Sequence, residues 1–185
     1  YQFSHVFTAG LATAGFLVMA FSAYHLLRRK EETLDFFQRS FRWAAVFAVV
    51  GSLLVVGIGH FQGQYLVQEQ PLKMATAEAH WTTEDPAGLS LFAVIDQENN
   101  RNSLNIKIPR VLSFLSYDRF TGEVLGINEL QARAEAEYGE GYYIPPVALN
   151  YWSFRAMVGA GFAMILLSVL GLFWSFRDQL LEKEI

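Results

Sequence analysis

Three long stretches without a formal charge constrain this chain more than any other feature. Residues 1–27 carry none, 43–61 carry none, and 155–176 carry none after Arg155. A helix of ~20 residues covers the ~30 Å hydrocarbon core of a bilayer. In lipid a segment must satisfy its own backbone hydrogen bonds, which a helix does. Trp43, Phe61, Trp152, Phe173, Trp174 and Phe176 fall near the predicted ends, where amphipathic rings favour the interface. The expected fold class is an all-α integral membrane protein with three transmembrane helices. Segments 28–42 and 62–154 join them, and 177–185 forms a tail. Residues 1–27 do not read as a signal peptide, because they lack a basic start and their apolar run is too long.

The distribution of Lys and Arg orients the spans. The short 28–42 connection holds Arg28, Arg29, Lys30, Arg39 and Arg42, whereas 62–154 holds six Lys or Arg against twelve Asp or Glu. By the positive-inside rule the short loop and the 177–185 tail are cytoplasmic and the long acidic segment is external. His5, at the start of the first span, then shares the outer face with that segment. The net charge of −4 argues against nucleic acid as a partner. Absence of cysteine leaves His, Met and carboxylates as ligands for any metal or cofactor. Tyr1 lies within about a turn of an apolar span, and three spans enclose little interior. The chain is therefore expected to be an internal piece of a larger helix bundle.

The long segment has its own pattern. "QPLKMATAEAHW" (70–81) reads as a helix with Pro71 in its first turn, where a missing N–H costs nothing. Met74, Glu78 and Trp81 would share one stripe of it. "LSLFAVID" and "SLNIKI" flank "QENNRN" and partly alternate apolar with polar, as in a hairpin. "NELQARAEAEYG" reads as a helix with Asn128 as N-cap, Gln131 at N3 and Gly139 near its end. "GEGYYIPP" turns the chain into the third span. The segment is thus mixed and mostly helical, with a short hairpin.

Four polar residues invite chemistry. His5, in "FSHVFTAGLATAGF", is either a hydrogen bonder between packed helices or a ligand, since intramembrane ionisable groups mark function and imidazole is a common heme ligand. Ala9, Ala12 and Gly15 beside it suit a flat macrocycle and close helix contact equally. His60 is either a solvated cap of the second span or part of a site. Glu78 is either a half-exposed helix carboxylate or, packed on apolar surface, a group that trades protons near neutral pH. Lys73 lies five residues before it, about 140° around a helix, too far for the usual i,i+4 pair.

The order "FSHVFTAGLATAGF", a short basic loop closing on "RSF", then "KMATAEAHW", "DQE", "IP…LSFL" and "PPVALNYWSFRAMVGAGF" resembles the middle of subunit I of the cytochrome bd family of quinol oxidases. The resemblance implies a set of roles. His5 would be an axial ligand of the low-spin heme b, and thereby a metal ligand through the heme iron. Lys73 and Glu78 would bind and oxidise quinol (ubiquinol or menaquinol) on the external loop, the family's short version. Electrons would pass to heme b, and oxygen would be reduced to water elsewhere in the complex. High-spin hemes, the remaining spans of the same subunit, a second oxidase subunit and membrane lipid would complete the assembly. It would sit in a bacterial or archaeal inner or plasma membrane, with the long loop on the periplasmic side. This chain alone is not expected to reduce oxygen. Two other classes remain open on the residues themselves: a membrane-anchored sensor or binding protein, and a structural oxidase subunit without a redox role.

Overall fold

The computed structural model describes residues 1–28 and 30–176. Arg29 of the basic loop and the 177–185 tail lie outside the described residues. In chain order the elements are α1 (Gln2–Leu27), a 3₁₀ turn (Glu31–Thr33), α2 (Leu34–Glu69), α3 (Pro71–Ala77), β1 (Leu89–Asp96), β2 (Arg101–Ile108), α4 (Val111–Tyr117), α5 (Ile127–Tyr138) and α6 (Val147–Phe176). Three of the helices, α1, α2 with its preceding turn, and α6, are long and apolar enough to cross a membrane. They are apolar on their outward faces as well. Phe3, Phe7, Phe21, Leu53, Phe162 and Leu166 are all exposed, as expected for helices bathed in lipid or packed on further spans.

α2 has 36 residues and α6 has 30. A 30 Å core takes only ~20. Both helices therefore have turns to spare, and the polar residues fall there: His60, Gln64 and Glu69 near the end of α2, and Asn150, Tyr151 and Arg155 near the start of α6.

The described chain forms two compact units. One comprises Tyr1–Gly59 and the chain from Val158 onward; the other is His60–Met157. In the first, α1 and α2 cross at backbone contact. A Cβ built on Gly15 would lie 2.7 Å from the Ala48 nitrogen, and one on Gly51 would lie 2.7 Å from the Ala12 nitrogen. Ala12 and Gly15 are thus committed to helix contact, the packing use of small residues in membranes. Ser22 and Ser40 add a hydrogen bond of 3.1 Å between these helices.

The second unit is built on two small cores. One gathers Ala75, Trp81, Ala93, Ile127, Leu130 and Tyr151; the other gathers Met74, Ala87, Leu112 and Val124. The hairpin forms as expected, antiparallel, with register shifts between Ser90 and Phe92 and between Val94 and Ile95. Helix α4 has no counterpart in the sequence reading.

Two boundaries of the shorter helices differ from expectation. α3 stops at Ala77, not Trp81. Ala79 adopts φ +48°, its N–H bonds to the Thr76 carbonyl, and the His80 N–H bonds to the Ala75 carbonyl. This is a Schellman stop with alanine where glycine is usual. Met74 and Trp81 consequently belong to different cores. At α5 the N-cap is Gly126, not Asn128. The Ile127 and Asn128 N–H groups bond to the carbonyls of His80 and Trp81, so no side-chain cap is needed. A Cβ on Gly126 would meet Thr82 at 2.5 Å, which restricts the position to glycine. Gln131 does not act in a capping box; it binds the Tyr143 N–H and the Gly141 carbonyl.

Candidate functional site

Glu78 caps the C-terminus of α3 and is 2% exposed. A carboxylate so buried requires a partner, and α6 supplies it. Arg155 grips both oxygens: Nη1 donates to Oε1 at 3.3 Å, and Nη2 donates to Oε2 in a short bond. The guanidinium is held independently. Its Nε donates to the Ser90 carbonyl at 3.0 Å, Nη2 donates to the same oxygen, and its carbon lies 4.8 Å from the centre of the Tyr151 ring. Tyr151 is itself fully buried, with its hydroxyl 3.3 Å from the Ser90 carbonyl. Arg155 is thus fixed by β1 and its own helix before it meets Glu78. Burial raises the Glu78 carboxyl above its ordinary range, against the opposing pull of the Arg155 hydrogen bonds and charge. Such a group exchanges a proton at higher pH than a surface glutamate does.

Arg155 is the residue sequence reasoning missed. A signal existed: between Glu140 and Arg177 it is the only charged residue. A lone guanidinium at the start of an apolar helix needs a carboxylate from elsewhere in the fold.

Glu78 borders a cavity of about 50 Å³, walled by Val67, Pro71, Met74, Leu112, Tyr117 and Leu125 among others. Lys73, on the same short helix, faces elsewhere. It is exposed and lines an open groove of about 660 Å³ with Arg133, Glu137, Tyr138 and Tyr143. The two residues therefore share a helix but front separate spaces.

His80 and His60 have structural partners. His80 is 3% exposed, and its Nε2 lies 3.1 Å from the Val124 carbonyl. A carbonyl only accepts, so Nε2 carries the hydrogen. Burial pushes the imidazole pKa down, opposed by that bond and by Glu84. His60 Nε2 lies 2.8 Å from Asp118 Oδ1, and the Gln64 amide donates to Oδ2 at 2.8 Å. These bonds tie α2 to the C-terminus of α4.

In the first unit, His5 sits against the bare backbone of Gly59, where a Cβ would come within 3.4 Å of the ring. Its Nδ1 is buried and has no hydrogen-bond partner among the described residues. A buried imidazole nitrogen left this way costs about 1–3 kcal/mol. The residue as a whole is only half-buried, so the rest of the ring is open to a ligand such as a heme iron. No group of three or more His, Asp or Glu side chains suited to a metal ion occurs among the described residues.

These features define a multi-pass helical membrane protein whose extramembrane segment buries an ion pair. The family model for cytochrome bd terminal oxidase subunit I matches residues 1–183, and the chain belongs to that family. It is 44% identical over 184 residues to "Cytochrome bd ubiquinol oxidase subunit 1" of Bacillus subtilis (strain 168), which spans 99% of this chain and 39% of the relative. It is 26% identical over 236 residues to "Cytochrome bd-II ubiquinol oxidase subunit 1" of Escherichia coli (strain K12), covering 97% of this chain and 46% of the relative. The chain thus spans less than half the length of these relatives. The bd oxidase structure from Geobacillus thermodenitrificans shares the fold, with a TM-score of 0.75 at 22% identity over 96% of this chain and 40% of that one. Membership in a cytochrome family brings heme as the cofactor class.

Proposed function

We propose that this segment binds a quinol at residues 62–154, takes a hydroxyl proton on Glu78, and delivers electrons toward a low-spin heme b held by His5. It would do so as part of a respiratory quinol:oxygen oxidoreductase. The observation that carries the reading is the buried Glu78 carboxylate, raised by burial and gripped by Arg155, in a chain of this family. Oxidation of a quinol to a quinone releases two protons and two electrons. Glu78 in its carboxylate form accepts a proton from a ring hydroxyl. Arg155 orients that carboxylate and, being anchored on Ser90, keeps its place when the carboxylate is neutralised. Lys73, exposed on the groove, meets the headgroup first and attracts its oxygens. A heme, when bound, supplies an electron acceptor, and His5 offers it an imidazole.

The names of both relatives support a quinol substrate; ubiquinol and menaquinol both satisfy the chemistry. The expected topology puts 62–154 on the external, periplasmic face of a bacterial or archaeal plasma membrane. The remaining spans of the subunit, a second subunit and lipid would surround the exposed apolar helices.

The test is Glu78→Gln and Lys73→Ala in the full-length oxidase. Glu78→Gln should lower turnover roughly 10²–10⁴-fold, the usual worth of a general base, with KM little changed. Lys73→Ala should raise KM. Wild-type kinetics in both variants at normal heme content would overturn the reading.

A further inference from the structure

We infer that Leu125 is the movable wall between the Lys73 groove and the Glu78 cavity, and that it sorts quinol headgroups by their bulk. The inference rests on the quinol reading above. The two spaces adjoin, and Pro71 and Leu125 line both. The cavity of about 50 Å³ at Glu78 is far below the roughly 150 Å³ that admits even benzene. A ring held at Lys73 therefore cannot reach Glu78 until the wall between them yields.

Only one of the two wall residues can yield cheaply. Pro71 is the first residue of α3, with its backbone dihedral locked by its own ring. Leu125 has a clamped backbone and a side chain that is only half-buried. On one side Val124 exchanges hydrogen bonds with Glu84 at 3.0 and 3.2 Å, and its carbonyl receives His80. On the other, the Gly126 N–H bonds to Thr83 Oγ1 at 2.9 Å and the Ile127 N–H to the His80 carbonyl at 2.8 Å. The main chain of the wall is thus tied down on both flanks. Leu125 itself is half-buried, on the edge of the core around Ile127. A change of its rotamer opens the partition; the backbone need not move. The space freed is set by the size of this one side chain, which makes it a specificity-determining residue.

The experiment uses the full-length subunit in its oxidase complex, with heme content checked in every variant. Two short-tailed quinols serve as probes, one with an unsubstituted ring and one carrying two methoxy groups and a methyl group. The quantity read is the ratio of their kcat/KM values. Leu125→Ala should shift that ratio toward the substituted quinol and Leu125→Phe away from it, each by about tenfold, the low end for adding or removing carbons in an apolar pocket. A ratio that stays at the wild-type value in Leu125→Ala overturns the inference, even if Leu125→Phe fails to assemble. Lys73→Ala and Glu78→Gln run alongside. If they are impaired while the ratio is constant, only the wall assignment falls. If they too behave as wild type, the quinol reading falls with it.

Discussion

Removing the guanidinium of Arg155 tests the energetic centre of the extramembrane unit. The Arg155 side chain is 16% exposed and that of Glu78 is 2% exposed, so water screens the pair little. Breaking a buried pair from one side costs about 3–5 kcal/mol, because the remaining charge is left uncompensated. The Ser90 carbonyl keeps one partner, the Tyr151 hydroxyl, so most of the cost belongs to Glu78. Arg155→Gln should therefore increase hydrogen exchange at the Glu78, Ala79 and His80 amides by roughly 10²–10⁴-fold at pH 8, at about 1.4 kcal/mol per factor of ten. The defect should fade on acidification. Without Arg155 burial acts unopposed, so the Glu78 carboxyl rises further. A folded-state value above the unfolded one means that the folded state binds more protons between the two, and stability falls as pH rises through that window. In Glu78→Gln/Arg155→Gln no charge remains, and the loss should be much smaller than the sum of the single losses. An additive double variant, or a deficit that does not change with pH, would refute the pairing as the source of stability.

Four further outcomes are expected. Gly51→Leu should lower the Tm of the full-length subunit by overpacking the α1–α2 crossing, at about 1–3 kcal/mol. His80 is buried with its pKa depressed; its own contribution to the stability of the surrounding segment should be complete above about pH 6.5 and be lost as pH falls below that value, and limited proteolysis at pH 7.5 and 5.5 should show a smaller loss on acidification in His80→Gln. His5→Ala in the full-length oxidase should abolish the reduced-minus-oxidised band of low-spin heme b while the protein still inserts; an unchanged band would remove His5 from the ligand set. In an otherwise cysteine-free subunit, a membrane-impermeant thiol reagent added to intact cells should label Glu98→Cys and spare Thr33→Cys, and the reverse labelling would invert the topology.

Sequence by itself determined the three apolar helices, because a charge-free run of bilayer length has few alternatives in lipid. It also determined the hairpin, whose strands partly alternate and whose turn is all polar, and it marked His5 and Glu78 as candidates, each with an ordinary packing or surface role still open. Where α3 stops was not legible. The stop uses Ala79 in a left-handed conformation, and alanine carries no such signal; the His80 N–H and the surrounding core hold it there. The start of α5 was hidden for a related reason, since backbone carbonyls of residues 80 and 81 take the place of a capping side chain. Only the tertiary structure decided that Lys73 and Glu78 front different spaces, and that Arg155, 77 residues along the chain from Glu78, closes on its carboxylate. Local patterns report which side chains must avoid or seek water. Which charge answers a buried charge depends on contacts between distant segments, and those exist only once the chain has folded.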